Sequence, residues 1–141
     1  MASTTVDAVI SAPRDVVYKW FTERDSLNDF LPVQITLRKP GAPEPAGVGA
    51  RYQVGLGGFG VTEETIELVP GERMQYQIVA GAPVKRHVGT ITFADAPAGT
   101  LVSYRMDSQP SLPVPDKATE LFLRALISPF LKAAKKAAAA K

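Results

Sequence analysis

The sequence contains no cysteine and only one histidine, His87. The lack of cysteine excludes disulfides, thiolate nucleophiles and cysteine-based metal sites. A single histidine among scattered carboxylates does not make a metal-binding constellation, and no GxSxG motif accompanies it as a serine hydrolase would require. We therefore expect no metal site and no cofactor, and we expect side-chain packing to stabilise the fold.

Long apolar runs and a strong excess of one charge are also lacking. No stretch approaches the roughly 18 apolar residues of a membrane-spanning helix, and the amino terminus has neither the basic nor the apolar region of a secretory signal. The formal net charge is only +2, and part of the basic excess lies within residues 132–141. We expect a cytoplasmic protein, monomeric or homodimeric, that binds no nucleic acid and does not insert stably into a membrane.

The composition that is present suits one folded domain spanning residues 1–141. Its apolar fraction of 45% and charged fraction of 21% are ordinary for a globular protein, which argues against disorder. The length is close to the commonest domain size and allows one substantial core.

Five consecutive segments alternate polar and apolar residues at period two, which predicts strands joined as an antiparallel meander. The parity of each segment predicts which side chains face inward. The inward sets are Tyr52, Val54 and Leu56; Thr62, Glu64, Ile66 and Leu68; Met74, Tyr76 and Ile78; His87, Gly89, Ile91 and Phe93; and Val102, Tyr104 and Met106.

Helical patterns lie on both sides of these strands. A first strand ends near Ile10, and two short helices are predicted between Pro13 and Pro32. A long helix is predicted after Pro115, with Asp116 as its N-cap and an alanine- and lysine-rich end at residues 132–141. We interpret that end as a solvated helix terminus in preference to an anchor for nucleic acid or acidic lipid. The order of elements predicts an α+β fold in which a curved sheet surrounds the helix, with a ligand-sized hollow between them.

Several segments resemble a known family. They are APRDVVYKWFTERDSLNDFLP, EETIELVPGERMQYQI, HVGTITF and GTLVSYRM. Together with the terminal helix they resemble the polyketide cyclase and lipid-transfer superfamily (SRPBCC), which includes START domains and the birch-pollen allergen. The resemblance implies a helix-grip fold, with a seven-stranded curved antiparallel sheet around a long C-terminal helix and two short helices after the first strand. It also implies a hydrophobic or amphipathic small molecule between sheet and helix, without indicating which activity this chain has.

Five polar or ionisable residues share the predicted inward faces, and such groups on apolar walls can orient a ligand or perform acid–base chemistry. They are His87, Glu64, Tyr52, Tyr76 and Tyr104. We take His87, Tyr104 and Glu64 as candidate catalytic residues, although His87 could instead be hydrogen-bonded at a strand end and the tyrosines could be ordinary core residues. A β-bulge would turn Glu64 outward.

The predicted cavity has walls from the strands and a floor from the helix. Its residues are Tyr52, Val54, Ile66, Met74, Tyr76, His87, Ile91, Phe93, Val102, Tyr104, Met106, Leu123, Ile127 and Phe130. Phe59, Phe30, Leu31, Leu112 and Val114 either close over its entrance or pack as satellite core.

The leading hypothesis is binding or transport of a hydrophobic or aromatic molecule, such as a lipid or polyketide. Two alternatives remain open. One is a polyketide cyclase or dehydratase in which His87 acts as general base and a tyrosine stabilises the enolate oxygen. The other is an interaction or stress-associated module with a filled core.

Overall fold

Seven strands and three helical segments follow one another in the computed structural model, which describes residues 1–56 and 59–140 apart from the side chains of Leu56 and Phe59. Gly57, Gly58 and the predicted role of Phe59 at the cavity entrance lie outside what the structure describes. The elements are β1 (Ala2–Ile10), α1 (Arg14–Thr22), a 3₁₀ helix (Arg24–Phe30), β2 (Gln34–Lys39), β3 (Arg51–Leu56), β4 (Phe59–Val69), β5 (Arg73–Ala80), β6 (Val84–Ala96), β7 (Gly99–Pro110) and α2 (Asp116–Ala139).

The strands form one antiparallel sheet in the order β1-β7-β6-β5-β4-β3-β2. From β2 to β7, strands that follow one another in the chain are also neighbours in the sheet, because short turns separate most of them. β1 pairs with β7 at the opposite edge from β2, so the chain between β1 and β2, including α1 and the 3₁₀ helix, crosses from one edge of the sheet to the other. The predicted α+β fold, a seven-stranded curved antiparallel sheet around a long C-terminal helix, is confirmed.

The two short helices begin where proline and apolar spacing allow. α1 starts at Arg14, and Pro13 is the N-cap, since its extended backbone leads directly into the first turn. In the 3₁₀ helix, Arg24 and Leu27 are both buried. They are three residues apart, and a 3₁₀ helix repeats every three residues, so both lie on its inner face.

α2 is the long helix, and its two halves pack differently. It begins after Pro115, which is the N-cap without a side-chain hydrogen bond, so Asp116 is the first helical residue and not the predicted cap. In the second half, buried alanines face the core while the lysines between them are exposed. The buried ones are Ala133, Ala134 and Ala137. The helix end is therefore solvated on one face only, with its small side chains packed on the other.

The main core lies between the sheet, α1 and α2. A smaller apolar cluster of Ile35, Ala50 and Tyr52 lies under β2 and β3. Within the described part of the chain, no helix combines the length and apolarity needed to cross a bilayer.

Candidate functional site

A cavity of about 680 Å³ lies between the first half of α2 and one end of the sheet. This volume falls in the range of small-molecule sites, roughly 300–1,000 Å³. Three parts of the fold supply most of its walls. They are Leu31, Pro32 and Val33 after the 3₁₀ helix; Val54, Val61, Ile78 and Met106 from the strands; and Phe122, Leu123, Leu126 and Phe130 from α2. The walls are predominantly apolar, so the space suits an apolar ligand.

The cavity reaches the surface beside α2. Val114, Phe122 and Leu126 line it, yet they are 43%, 62% and 37% exposed. Of the predicted entrance residues, Leu31 and Val114 line the cavity, while Phe30 packs against the main core. Leu112 is exposed and does not line it. Large apolar side chains in contact with water therefore form part of the opening.

Only some of the predicted wall residues line this cavity. Those that do are Val54, His87, Met106, Leu123 and Phe130. A larger set belongs to the solid core, namely Met74, Tyr76, Ile91, Phe93, Val102, Tyr104 and Ile127. Tyr52 lies in the smaller apolar cluster. The cavity therefore occupies one end of the predicted hollow.

Aromatic rings fill the other end. Phe21 of α1 lies 5.8 Å from Phe93 and 6.4 Å from Tyr104, measured between ring centroids. Tyr18 lies 5.4 Å from Phe93 in an edge-on contact, and Tyr76 also contacts Tyr104 edge-on at 6.4 Å. Edge-on and tilted contacts are favourable for aromatic pairs. α1 thus places rings where the strand pattern alone predicts open space.

β4 contains the main correction to the predicted interior. Its pairing with β5 shifts between Thr65 and Glu67, so Ile66 is an extra, bulged residue. Before the bulge, Glu63 and Thr65 are buried in place of Glu64 and Ile66. After it, Leu68 faces the core as predicted. Glu64 and Ile66 are therefore not cavity residues.

Glu64 lies on the outer face of the sheet. Arg51 Nε donates to its Oε2 at 3.0 Å and Gln77 Nε2 donates to its Oε1 at 3.1 Å. These hydrogen bonds hold the pKa of Glu64 below its ordinary value. A partnered, ionised carboxylate outside the cavity cannot serve as the predicted catalytic group.

Glu63 and Arg24 form a buried ion pair at the cavity. They are 6% and 4% exposed, and Arg24 Nη2 donates to Glu63 Oε1 at 2.5 Å. Glu63 lines the cavity, whereas Arg24 does not and instead lies over the Tyr76 ring, with Cζ 4.6 Å from the centroid. Burial opposes the charged guanidinium, but the charge of Glu63 outweighs it and raises the pKa of Arg24. Arg24 Nη1 has no hydrogen-bond partner among the described residues.

Tyr76 and Tyr104 lie behind this pair, away from the cavity. Their hydroxyls are hydrogen-bonded to each other, and both side chains are buried. Burial raises the pKa of both phenols. Tyr76 packs against Arg24 of the ion pair. Neither tyrosine lines the cavity, so the predicted direct contact with a ligand is not seen in their position.

His87 lies on the cavity wall, as its parity predicts. It is 4% exposed, it pairs with Ser108 across β6 and β7, and both residues line the cavity. Burial lowers the pKa of its imidazole, and Glu63 and Asp107 partly oppose that shift. The ring is therefore neutral at pH 7. Its Nε2 is buried and has no hydrogen-bond partner in the described part of the protein.

Replacing His87 with glutamine is expected to make the protein less sensitive to acid. The pKa of the folded state lies below the ordinary 6.5. As the pH falls through that range, the unfolded chain binds a proton that the folded chain does not, and the free energy of unfolding decreases. Urea unfolding at about pH 8 and about pH 5 should show a larger loss for the wild type than for His87→Gln. Equal losses would contradict a neutral, buried His87.

The sequence patterns missed Arg24, Glu63, Ser108 and Thr119. The last two are buried polar residues that line the cavity. Arg24 could have been found, because its three-residue spacing from Leu27 matches the inner face of a 3₁₀ helix. Glu63 carried no signal, since its neighbour Glu64 fits the strand pattern better. Among the described residues, no three histidine or carboxylate side chains are grouped as they would be around a metal ion.

Comparisons with known proteins agree with this fold. A START superfamily protein from Mycobacterium smegmatis has a TM-score of 0.81 at 11% identity, covering 98% of this chain and 97% of the other. XoxI from Bacillus cereus has a TM-score of 0.78 at 21% identity, with 98% and 96% covered. Ara h 8.0201 has a TM-score of 0.77 at 12% identity, with 99% and 98% covered.

These similarities establish the fold alone, and no protein with a curated description matches the sequence. The family described as polyketide cyclase/dehydrase and lipid transport matches residues 1–141, which is the whole chain. The protein therefore belongs to the polyketide cyclase/dehydrase and lipid transport family.

Proposed function

We propose that the protein binds, and thereby carries, a hydrophobic or aromatic small molecule in the cavity beside α2. The observation that supports this most directly is an apolar cavity of about 680 Å³ with a few buried polar side chains in its walls. Apolar walls provide affinity, since each buried methylene contributes about 0.8 kcal/mol. The polar groups Glu63, His87, Ser108 and Thr119 would orient the molecule.

The size of the cavity also weighs against a filled-core interaction module. A filled core would leave no space above roughly 300 Å³, the lower limit for small-molecule sites. The space here is more than twice that volume. Ligand binding is therefore the better account of this end of the fold.

Native mass spectrometry of protein purified from its source tests the proposal. We expect a mass increment on the folded protein, and extraction should release an apolar or amphipathic compound of the same mass. Ligand-free protein that also binds no neutral apolar dye would contradict the proposal.

Filling the cavity should weaken dye binding. Ala125 lines the cavity from an exposed part of α2, so Ala125→Trp places an indole in the binding space without burying it in the packed core. We expect the affinity for the neutral dye N-phenylnaphthylamine to fall about fivefold, close to 1 kcal/mol. Fluorescence titration measures this change.

Leu121→Trp is the matched control. Leu121 lies on the same helix, is 67% exposed and does not line the cavity. Its substitution should leave the affinity unchanged. Equal weakening in the two variants would mean that the dye binds elsewhere.

Proton transfer on a bound ketone or thioester is the second candidate function. It is favoured by His87, which lines the cavity and whose imidazole is kept neutral by burial. Tyr104 would not stabilise an enolate, because its hydroxyl lies behind the cavity. Ser108 lines the cavity and has a hydroxyl for that role. Turnover of polyketide substrates with an ionisation that disappears in His87→Gln would support catalysis, and the absence of turnover would favour the carrier function.

A further inference from the structure

Glu63 is the only described residue lining the cavity that carries a formal charge at neutral pH. All other described lining residues are apolar, glycine or proline, except for His87, Ser108 and Thr119. Because Arg24 does not line the cavity, a ligand meets the carboxylate with the guanidinium behind it.

The carboxylate of Glu63 is held in place by its ion pair with Arg24. One oxygen, Oε1, accepts the hydrogen bond from Arg24 Nη2 at 2.5 Å. Arg24 in turn is held between Glu63 and the ring of Tyr76. An ionised carboxylate only accepts hydrogen bonds, so what it offers a ligand is an acceptor.

We propose that the cavity selects uncharged amphipathic molecules carrying a hydroxyl group, an alcohol or a phenol, and that Glu63 excludes molecules ending in a carboxylate. This inference rests on the proposed binding function and adds the chemical class of the ligand. The hydroxyl donates to the carboxylate of Glu63 on the cavity wall.

A ligand carboxylate is excluded for two physical reasons. It has no proton to donate to Glu63, so two acceptors would face each other. It would also place a second negative charge beside the first among apolar walls, where repulsion is weakly screened. Arg24 offers little compensation, because its charge is already paired with Glu63.

Three ligands with the same alkyl chain test the selection: dodecanol, dodecyl methyl ether and dodecanoate. Their affinities are measured by displacement of N-phenylnaphthylamine at about pH 8, where the free carboxylic acid is ionised. We expect dodecanol to bind about tenfold more tightly than dodecanoate and also more tightly than the ether. Binding of dodecanoate as tight as that of dodecanol would overturn the inference while leaving the proposed function intact. Binding of neither ligand nor dye would overturn the proposed function as well.

The adjacent glutamates Glu63 and Glu64 allow a matched pair of variants. Comparing them separates the specific effect of Glu63 on ligand preference from the general cost of desolvating a ligand carboxylate. In Glu63→Gln, the amide oxygen can accept from Arg24, while the amide nitrogen can donate to a ligand carboxylate. We expect the preference for dodecanol to be lost or reversed. In Glu64→Gln, on the outer face of the sheet, we expect the preference to stay as in the wild type.

If Glu63→Gln does not fold, the double variant Arg24→Gln/Glu63→Gln provides the test instead. It removes both charges, so the preference should fall relative to the wild type. A folded variant at Glu63 with an unchanged preference would overturn the role of this residue.

Discussion

Arg24→Met is expected to lower the free energy of unfolding by about 3–5 kcal/mol, the cost of leaving one member of a buried ion pair without its partner. Methionine can keep the contact with Tyr76 but cannot neutralise Glu63, which is 6% exposed. Urea denaturation followed by circular dichroism measures the loss.

Arg14→Met is the matched control for this loss. Arg14 also forms an ion pair, with Asp95 at 3.4 Å, but the two side chains are 40% and 81% exposed. Removing a surface pair of this kind should cost no more than about 1 kcal/mol. The double variant Arg24→Met/Glu63→Leu should regain much of the stability, since no buried charge remains. Equal effects of Arg24→Met and Arg14→Met would contradict the buried pair.

Gly89→Ala is expected to destabilise the protein by about 1–3 kcal/mol through overpacking. A methyl group at this position would overlap the ring of Tyr76, which lies on the neighbouring strand β5. That ring cannot move away easily, because it is fully buried, bonded to Tyr104 and covered by Arg24. Thermal and urea unfolding measure the loss. A loss of stability is informative, because alanine normally stabilises a strand interior relative to glycine.

A double-mutant cycle with Tyr76→Leu identifies the cause. Tyr76→Leu removes the overlapping ring, so adding Gly89→Ala in that background should cost much less than in the wild type. Additive effects of the two substitutions would mean that Gly89 is required for a reason other than the ring.

Residue parity predicts the interior correctly where strand pairing is regular. Met74, Tyr76, Ile91, Val102 and Tyr104 are all buried as predicted. The pairs between β6 and β7 run without a shift from Arg86 to Ala96. Where the register is uninterrupted, successive side chains point to opposite faces of the sheet, so the alternation in the sequence predicts which residues are buried.

The same reasoning fails at β4 for an identifiable reason. One extra residue, Ile66, reverses the faces of everything before it, although the only apolar residues of EETIEL, Ile66 and Leu68, share the parity of Glu64. The position of the bulge depends on pairing with β5, which a single strand does not encode. The strand pattern therefore predicts Glu64 as the cavity residue, whereas its neighbour Glu63 lines the cavity.

The strand pattern also does not predict where the cavity lies. Parity distinguishes inward from outward side chains, but it does not say whether inward space is filled from elsewhere. Phe21 and Tyr18 fill part of it from α1, while Arg24 places a charge behind Glu63. These contacts join residues far apart in sequence, so periodicity within one element cannot reveal them.

The unequal halves of α2 separate the positions that shape the ligand site from those that hold the helix in place. Substitutions at Ala118, Phe122 or Leu126 reshape the cavity at an exposed surface, where the effect on folding is small. Any larger side chain at Ala133 or Ala134 would push the helix away from the sheet. In an evolving lineage, ligand preference can thus diverge along the first turns of this helix while its last turns stay almost unchanged.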